Sequence, residues 1–142
     1  MNVIIFYDAD GVLNEMYPAP GYTEQEVINL NVPPGTSVLV TDVVNLPDDY
    51  WRDAWETDLT FVTVNLDGAK EIALIDVRKI ADATTGFIQR SFLLNEDAGG
   101  VTQDDVTNAY EQAKQDIENA TQVPFIKSVV DTFKANYSVE EG

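Results

Sequence analysis

The chain has 142 residues and a net charge of −17, with 44% hydrophobic residues and neither cysteine nor histidine. The length and apolar content predict one folded domain rather than a disordered chain. Without Cys and His, disulfides, thiolate zinc sites and catalysis by imidazole or thiolate are excluded. The charge disfavours nucleic acid and anionic membranes as partners, and nothing in the composition calls for a metal or cofactor.

The first residues predict an antiparallel strand pair. β-Branched and aromatic residues at Val3–Tyr7 indicate a strand, and Asp8–Gly11 has the composition of a turn. Residues 12–17 are then the returning strand of a hairpin.

A short helix and a further strand follow. Thr23 and Glu26 have the spacing of a capping box, and the prolines after Val32 must end the helix that they begin. The next strand is expected at residues 36–40, extending at most to residue 44.

Both tryptophans lie in the next segment. Asp48 and Asp49 predict the start of a helical turn that carries Trp51 and Trp55 on one side. The rings are expected to anchor strands to helices in the core; alternatively, Trp51, Arg52 and Trp55 form a partner-binding hot spot. Arg52 is expected to pair with nearby carboxylates.

The rest of the chain predicts one strand and then helices. The strand is placed at residues 59–66, and helical spacing begins at Asp67, with the extension to Leu94 open because Thr84–Gly86 is a poor helix former. Loop residues 97–100 lead to helices capped by Thr102 and Thr121. The prediction is a single α+β domain: residues 1–66 mainly β, 67–137 mainly α, and an acidic tail at 138–142.

One local motif suggests catalysis. The segment Ile4–Leu13 resembles the first motif of haloacid-dehalogenase-like phosphatases, an apolar strand followed by Asp-x-Asp-Gly. The resemblance implies a magnesium-dependent phosphohydrolase with Asp8 as nucleophile and metal ligand and Asp10 as general acid and base. An ordinary hairpin turn explains the same residues, and no later strand ends in the acidic pair that this family uses for magnesium.

Another functional alternative is an acidic inhibitor of host defence that mimics nucleic acid. It would use the carboxylates of the helix predicted at 103–119, although interspersed lysines interrupt the acidic ridge and a solvated face is the ordinary interpretation. The carboxylates are Asp104, Asp105, Glu111, Asp116 and Glu118.

A longer series of motifs covers roughly residues 1–80 in order. The motifs are Tyr17-Pro18-Ala19-Pro20-Gly21, Thr23-Glu24-Gln25-Glu26-Val27-Ile28, Val32-Pro33-Pro34-Gly35, Leu46-Pro47-Asp48-Asp49, Trp51-Arg52-Asp53-Ala54-Trp55-Glu56 and Ala69-Lys70-Glu71-Ile72. This series resembles a family of small proteins of tailed bacteriophages. Trp51 stands where that family has Phe, and the later helices diverge.

The genes of this family lie among phage tail genes. The C-terminal part of its proteins is similar to tail-fibre assembly proteins. The resemblance implies a non-enzymatic, tail-associated protein, either an assembly chaperone or a structural adaptor. Its partners would be tail or tail-fibre proteins, with self-association left open. It would act in the host cytoplasm during assembly and, as an adaptor, stay in the virion tail. We expect such a protein to expose an apolar patch.

Overall fold

The computed structural model describes residues 1–94 and 100–137. The predicted α+β class is confirmed, because a small antiparallel sheet precedes a helical half. By its internal contacts the chain divides into two compact units, Met1–Asn65 and Leu66–Gly142. The boundary lies one residue before the predicted change from mainly β to mainly α structure, which was placed between residues 66 and 67.

Strand β1 (Asn2–Tyr7) is the centre of the first unit. It pairs antiparallel with β2 (Leu13–Met16) on one side and with β3 (Leu39–Asp42) on the other. Ile4 and Phe6 share one face, where they pack against Val27 and Val32. The intervening residues Val3 and Ile5 point to the opposite face and are also fully buried. A short, almost wholly apolar strand is therefore covered on both faces.

Helix α1 (Glu24–Asn31) begins at the predicted capping box. The Thr23 hydroxyl accepts from the Glu26 amide at 3.1 Å, and the Glu26 carboxylate accepts from the Thr23 amide at 3.4 Å. The helix ends before the two prolines, as predicted. The next strand starts later than predicted, because the Thr36 amide donates to the Pro33 carbonyl at 3.2 Å and closes a turn.

The tryptophan segment forms a 3₁₀ helix at Asp49–Ala54. Its first turn is capped by Asp48, whose side chain accepts from the Tyr50 amide at 3.0 Å. The sequence predicts Trp55 on this helical turn, but in the structure Trp55 begins strand β4 (Trp55–Thr57). Strand β4 pairs antiparallel with β5 (Val62–Val64).

The strand predicted at residues 59–66 is too long at both ends, since β5 covers Val62–Val64 and Leu66 already begins a helix. The Asp58 carboxylate accepts from the amides of Thr60 (2.8 Å) and Phe61 (3.0 Å), and Leu59 adopts a positive φ of 69°. These bonds make a turn between β4 and β5. The alternation of apolar residues from Leu59 onward therefore spans a turn and a short strand.

In the described part of the second unit, three helices contact one another pairwise: α2 (Leu66–Leu93), α3 (Gln103–Glu118) and α4 (Val123–Tyr137). Helix α2 continues through Thr84–Gly86, where the sequence left its extent open. Its buried stripe consists largely of small residues, which lets neighbouring helices approach closely. The buried residues are Ala69, Ala73, Val77, Ala81, Thr84 and Ser91.

Two contacts fix the directions of the helices. The Lys70 ammonium donates to the Glu118 carbonyl at 2.9 Å, so α3 ends near the start of α2 and runs antiparallel to it. The Thr84 hydroxyl, which also lies 2.9 Å from the Ile80 carbonyl oxygen, contacts the Tyr137 carbonyl, so the end of α4 lies beside the middle of α2.

The starts of the last two helices differ in how well they were predicted. The Thr102–Asp105 capping box is present, whereas α4 begins at Val123, two residues after the predicted cap Thr121. The predicted loop residues 97–99 and the tail 138–142 lie outside the described residues. Within the described part of the chain, no helix has the length and apolar content needed to span a membrane.

We predict that Ala73→Leu destabilises the helical unit. Ala73 is fully buried, so a larger side chain must push the helices apart, at a cost of about 1–3 kcal/mol in unfolding free energy. Ala83 lies on the same helix but is exposed, so Ala83→Leu is the matched control. Urea unfolding followed by circular dichroism measures both, and equal stability of the two variants would contradict this packing of α2.

Candidate functional site

The Asp8–Gly11 turn between β1 and β2 is shaped by the Asp8 carboxylate. Its Oδ1 accepts from the amides of Asp10 (2.9 Å) and Val12 (3.0 Å), and its Oδ2 accepts from the Asn14 side chain at 3.0 Å. The hydrogen bond from Asn14, followed by that from Val12, holds the pKa of Asp8 below its ordinary value. Gly11 completes the turn with a φ of 76°, which favours glycine.

This geometry supports the hairpin-turn interpretation of the Asp-x-Asp-Gly motif. Strand β1 turns directly back into its antiparallel neighbour, and both oxygens of Asp8 already accept hydrogen bonds from within the turn. Asp10 is exposed at the turn. Among residues 1–94 and 100–137, no three acidic side chains come together as metal ligands would.

Arg52 connects two parts of the first unit. Its guanidinium donates to the Leu13 carbonyl at 3.4 Å, lies 3.9 Å from Glu15 Oε2, and stacks 4.9 Å from the centre of the Trp55 ring. The expected pairing of Arg52 with a carboxylate is therefore present. Glu15 Oε2 is buried and has no hydrogen-bond partner, so the nearby guanidinium is the charge that offsets its burial.

The other oxygen of Glu15 extends the cluster to a tyrosine. Tyr17 donates its hydroxyl to Glu15 Oε1 at 2.8 Å, and this hydrogen bond raises the pKa of the Tyr17 phenol. Arg52, Glu15 and Tyr17 thus form a continuous polar cluster along β2. The sequence places Arg52 thirty-seven positions after Glu15, so no local pattern could have paired them.

Both indoles are buried. Trp51 is 4% exposed and Trp55 is 6% exposed. Trp51 packs edge-to-face with Tyr50 at 4.5 Å between ring centroids, and the Trp55 indole N–H donates to the Asp48 carbonyl at 3.3 Å. This burial supports the interpretation of the tryptophans as structural anchors, while the Arg52 side chain remains 35% exposed.

A cleft of about 460 Å³ lies beside Arg52 and Trp55. It brings these two predicted site residues next to the hairpin turn, but Asp8, Asp10 and Trp51 do not line it. The Tyr7 phenol at its wall accepts from the Thr57 amide at 3.0 Å and so joins the hairpin to β4. The cleft offers a guanidinium, a phenol and the Asp53 carboxylate to a polar group.

Two of the hollows in the helical unit were not predicted from the sequence. One, of about 350 Å³, lies between α3 and α4. The sequence feature that could have indicated it is the pair of small residues Ala109 and Ala113, one helical turn apart on α3. The other, of about 600 Å³, lies at the end of α2, where Phe92 and Leu93 are 84% and 81% exposed. The consecutive apolar residues 92–94 were its signal.

Comparison of the chain with protein-family models, with characterised proteins and with solved structures found no match. The resemblance to phage tail proteins therefore stays a prediction from the sequence.

We predict that Asp8→Asn destabilises the first unit in a pH-dependent way. The substitution places an amide N–H group opposite the Asn14 side-chain donor and removes a charged acceptor. Because the folded pKa of Asp8 is lowered from 3.8, its stabilising contribution is present above that pH and is lost as pH falls through the folded pKa. Urea unfolding at about pH 7 and about pH 3 should show a variant effect that shrinks in acid.

The exposed neighbour Asp10 gives the matched control, since Asp10→Asn makes the same chemical change in the same turn. A pH-independent difference, or an equal effect of the two substitutions, would contradict the structural role of Asp8. The Asp8→Asn variant also tests the phosphohydrolase alternative: any magnesium-dependent phosphatase activity of the chain should disappear with it.

We predict that Arg52→Ala lowers the unfolding free energy by about 1–2 kcal/mol, because it removes the Trp55 stacking and the Leu13 hydrogen bond and leaves Glu15 uncompensated. Arg52→Lys should restore only part of this, since an ammonium lacks the planar face. Tryptophan fluorescence during urea unfolding reports on this unit, as both indoles lie in it. Arg78→Ala, at an exposed helix position, is the control, with circular dichroism as the readout because Arg78 lies in the second unit, and an effect as large there would refute a special role for Arg52.

Proposed function

We propose that the chain is a non-enzymatic, tail-associated protein of a tailed bacteriophage that binds a tail or tail-fibre protein through apolar surface. It acts as an assembly chaperone or as a structural adaptor. The observation that carries this proposal is the exposed apolar end of α2: Phe92, Leu93 and Leu94 are 84%, 81% and 59% exposed. We refer to these three residues as the α2 patch.

The α2 patch places three consecutive apolar side chains at the surface of a strongly acidic chain. Burying a Phe or Leu side chain contributes about 1.5–3 kcal/mol, so consecutive side chains of this kind in water favour association with another surface. Contiguous apolar patches rimmed by polar residues are typical of protein-binding sites.

The hollow beside the patch supports the same function. It is lined by uncharged side chains, so a partner that enters it does not have to remove charged groups from water. The lining residues are Ile88, Gln89, Phe92, Leu93, Val101, Thr102 and Gln103. The net charge of −17 keeps the chain in solution although these apolar groups are exposed.

The resemblance of residues 1–80 to phage tail-gene proteins supplies the class of partner. A chaperone would cover apolar surface of a fibre protein until assembly, whereas an adaptor would keep its contact in the finished particle. Both roles require binding and no chemistry. Mass spectrometry of purified virions separates them, because only an adaptor is present there at a fixed copy number.

We predict that the double substitution Phe92→Ser, Leu93→Ser abolishes complex formation with the neighbouring tail proteins. Co-expression of these proteins with the wild-type chain should give a complex or raise their soluble yield, and the variant should lose this effect because the apolar contact is gone. Leu30→Ser is the matched control, since Leu30 is 73% exposed but lies in the first unit. If the wild-type chain forms no complex and gives no gain in solubility, the proposed function is wrong.

A further inference from the structure

The second surface of interest is the hollow between α3 and α4, which we call the α3–α4 groove. Its α3 wall is formed by Ala109, Gln112, Ala113 and Asp116, and its α4 wall runs from Phe125 to Tyr137. It has a volume of about 350 Å³ and lies apart from the residues of the α2 patch.

The groove has the shape of a helix-binding site. Ala109 and Ala113 on α3 and Ser128 and Thr132 on α4 are each one helical turn apart, so small side chains on both walls lie beside larger apolar ones on α4. Phe125, which is 51% exposed, adds an apolar group to the α4 wall. A helix lying along two such walls can insert side chains at i, i+3 or i+4, and i+7 between them.

The charge of the two walls differs. Helix α3 carries five carboxylates and one lysine, and its Asp116 lines the groove with the carboxylate held along the helix by Gln112 at 3.0 Å. On α4, Lys127 pairs with Asp131 at 2.7 Å, which offsets charge on that side. Asp116 is the carboxylate of α3 that lines the groove, and this helix as a whole has a surplus of four negative charges. A visiting helix therefore meets a negative α3 wall and apolar side chains such as Val129 and Phe133.

From this we infer that the α3–α4 groove binds one amphipathic helix of a partner protein, with its apolar face in the groove and Lys or Arg residues against α3. Charge complementarity selects this occupant. The inference deepens the proposed function and rests on it for the source of the helix, but the groove can be tested without knowing the partner.

A second copy of the chain fits the groove poorly. Helix α1 carries acidic residues and no basic ones, and α2 carries four of each sign. Helix α4 has a surplus of a single positive charge, so none of the four α-helices in the described part of the chain has more than one net positive charge. Two chains with a net charge of −17 also repel each other at low salt.

The test uses three fluorescein-labelled synthetic peptides: an amphipathic helix of Leu and Lys with helical spacing, the same pattern with Glu in place of Lys, and a scrambled Leu/Lys sequence. Anisotropy titrations with the full chain should show saturable binding of the first peptide only. Circular dichroism should show that this peptide gains helix on binding.

Matched variants decide whether the peptide occupies the groove. Gln112→Lys adds a positive charge at the groove and should lower the affinity for the Leu/Lys peptide about five-fold. Gln115→Lys makes the same change at an exposed α3 position that does not line the groove, so it should lower the affinity less. Phe125→Ala should lower the affinity for this peptide by a similar factor, whereas Phe61→Ala, at an exposed position of the first unit, should leave it unchanged.

The outcomes separate the inference from the proposed function. Equal weakening by both lysine variants, or equal binding of the scrambled peptide, means nonspecific attraction to an acidic protein and overturns the inference. Absence of binding also overturns it. Neither result affects the α2 patch, whose co-expression test has its own variants. Conversely, peptide binding that follows the groove variants stands even if no tail protein forms a complex.

Discussion

The first unit depends on a single guanidinium. Arg52 is the one basic side chain among residues 1–65, which carry eleven carboxylates, and it contacts the Leu13 carbonyl, Glu15 and the Trp55 ring together. Arginine suits this position because its planar face stacks on an indole while its edge donates hydrogen bonds. The buried Glu15 oxygen has no other basic side chain in this unit to offset it, so Arg52 links β2 to the tryptophan segment, while the Tyr7 phenol links the hairpin to β4.

Local chemistry explains which parts of the fold could be predicted. The capping boxes that begin at Thr23 and Thr102 could be predicted, because the two side chains of a capping box are only three positions apart in the sequence. The Asp58 turn was not predicted, because the alternation of apolar residues from Leu59 onward indicates a strand and hides the capacity of Asp58 to accept from nearby amides. Thr84 lies in a weak helix sequence, yet α2 continues because packing against α4 supplies the stability that propensity lacks.

The candidate sites follow the same division. The sequence marked Arg52 and the tryptophans by residue type, but the Glu15 partner and the cleft beside Trp55 arise from residues far apart in the chain. The α3–α4 groove depends on two helices being side by side. Its small residues resemble ordinary helix-packing positions when either helix is considered alone, and only their shared opening distinguishes them.

The Asp-x-Asp-Gly motif shows how the same residues can serve a turn or a reaction. A nucleophilic carboxylate that also binds magnesium needs an oxygen free to face substrate and metal. Asp8 instead uses both oxygens within its own turn, with Asn14 as the side-chain donor to one of them. Those bonds lower the pKa of Asp8 and keep it ionised, but they orient the charge toward the backbone that it holds in place. A lowered pKa therefore supports catalysis only where the charge it preserves is directed at a ligand, and here the same charge stabilises a hairpin.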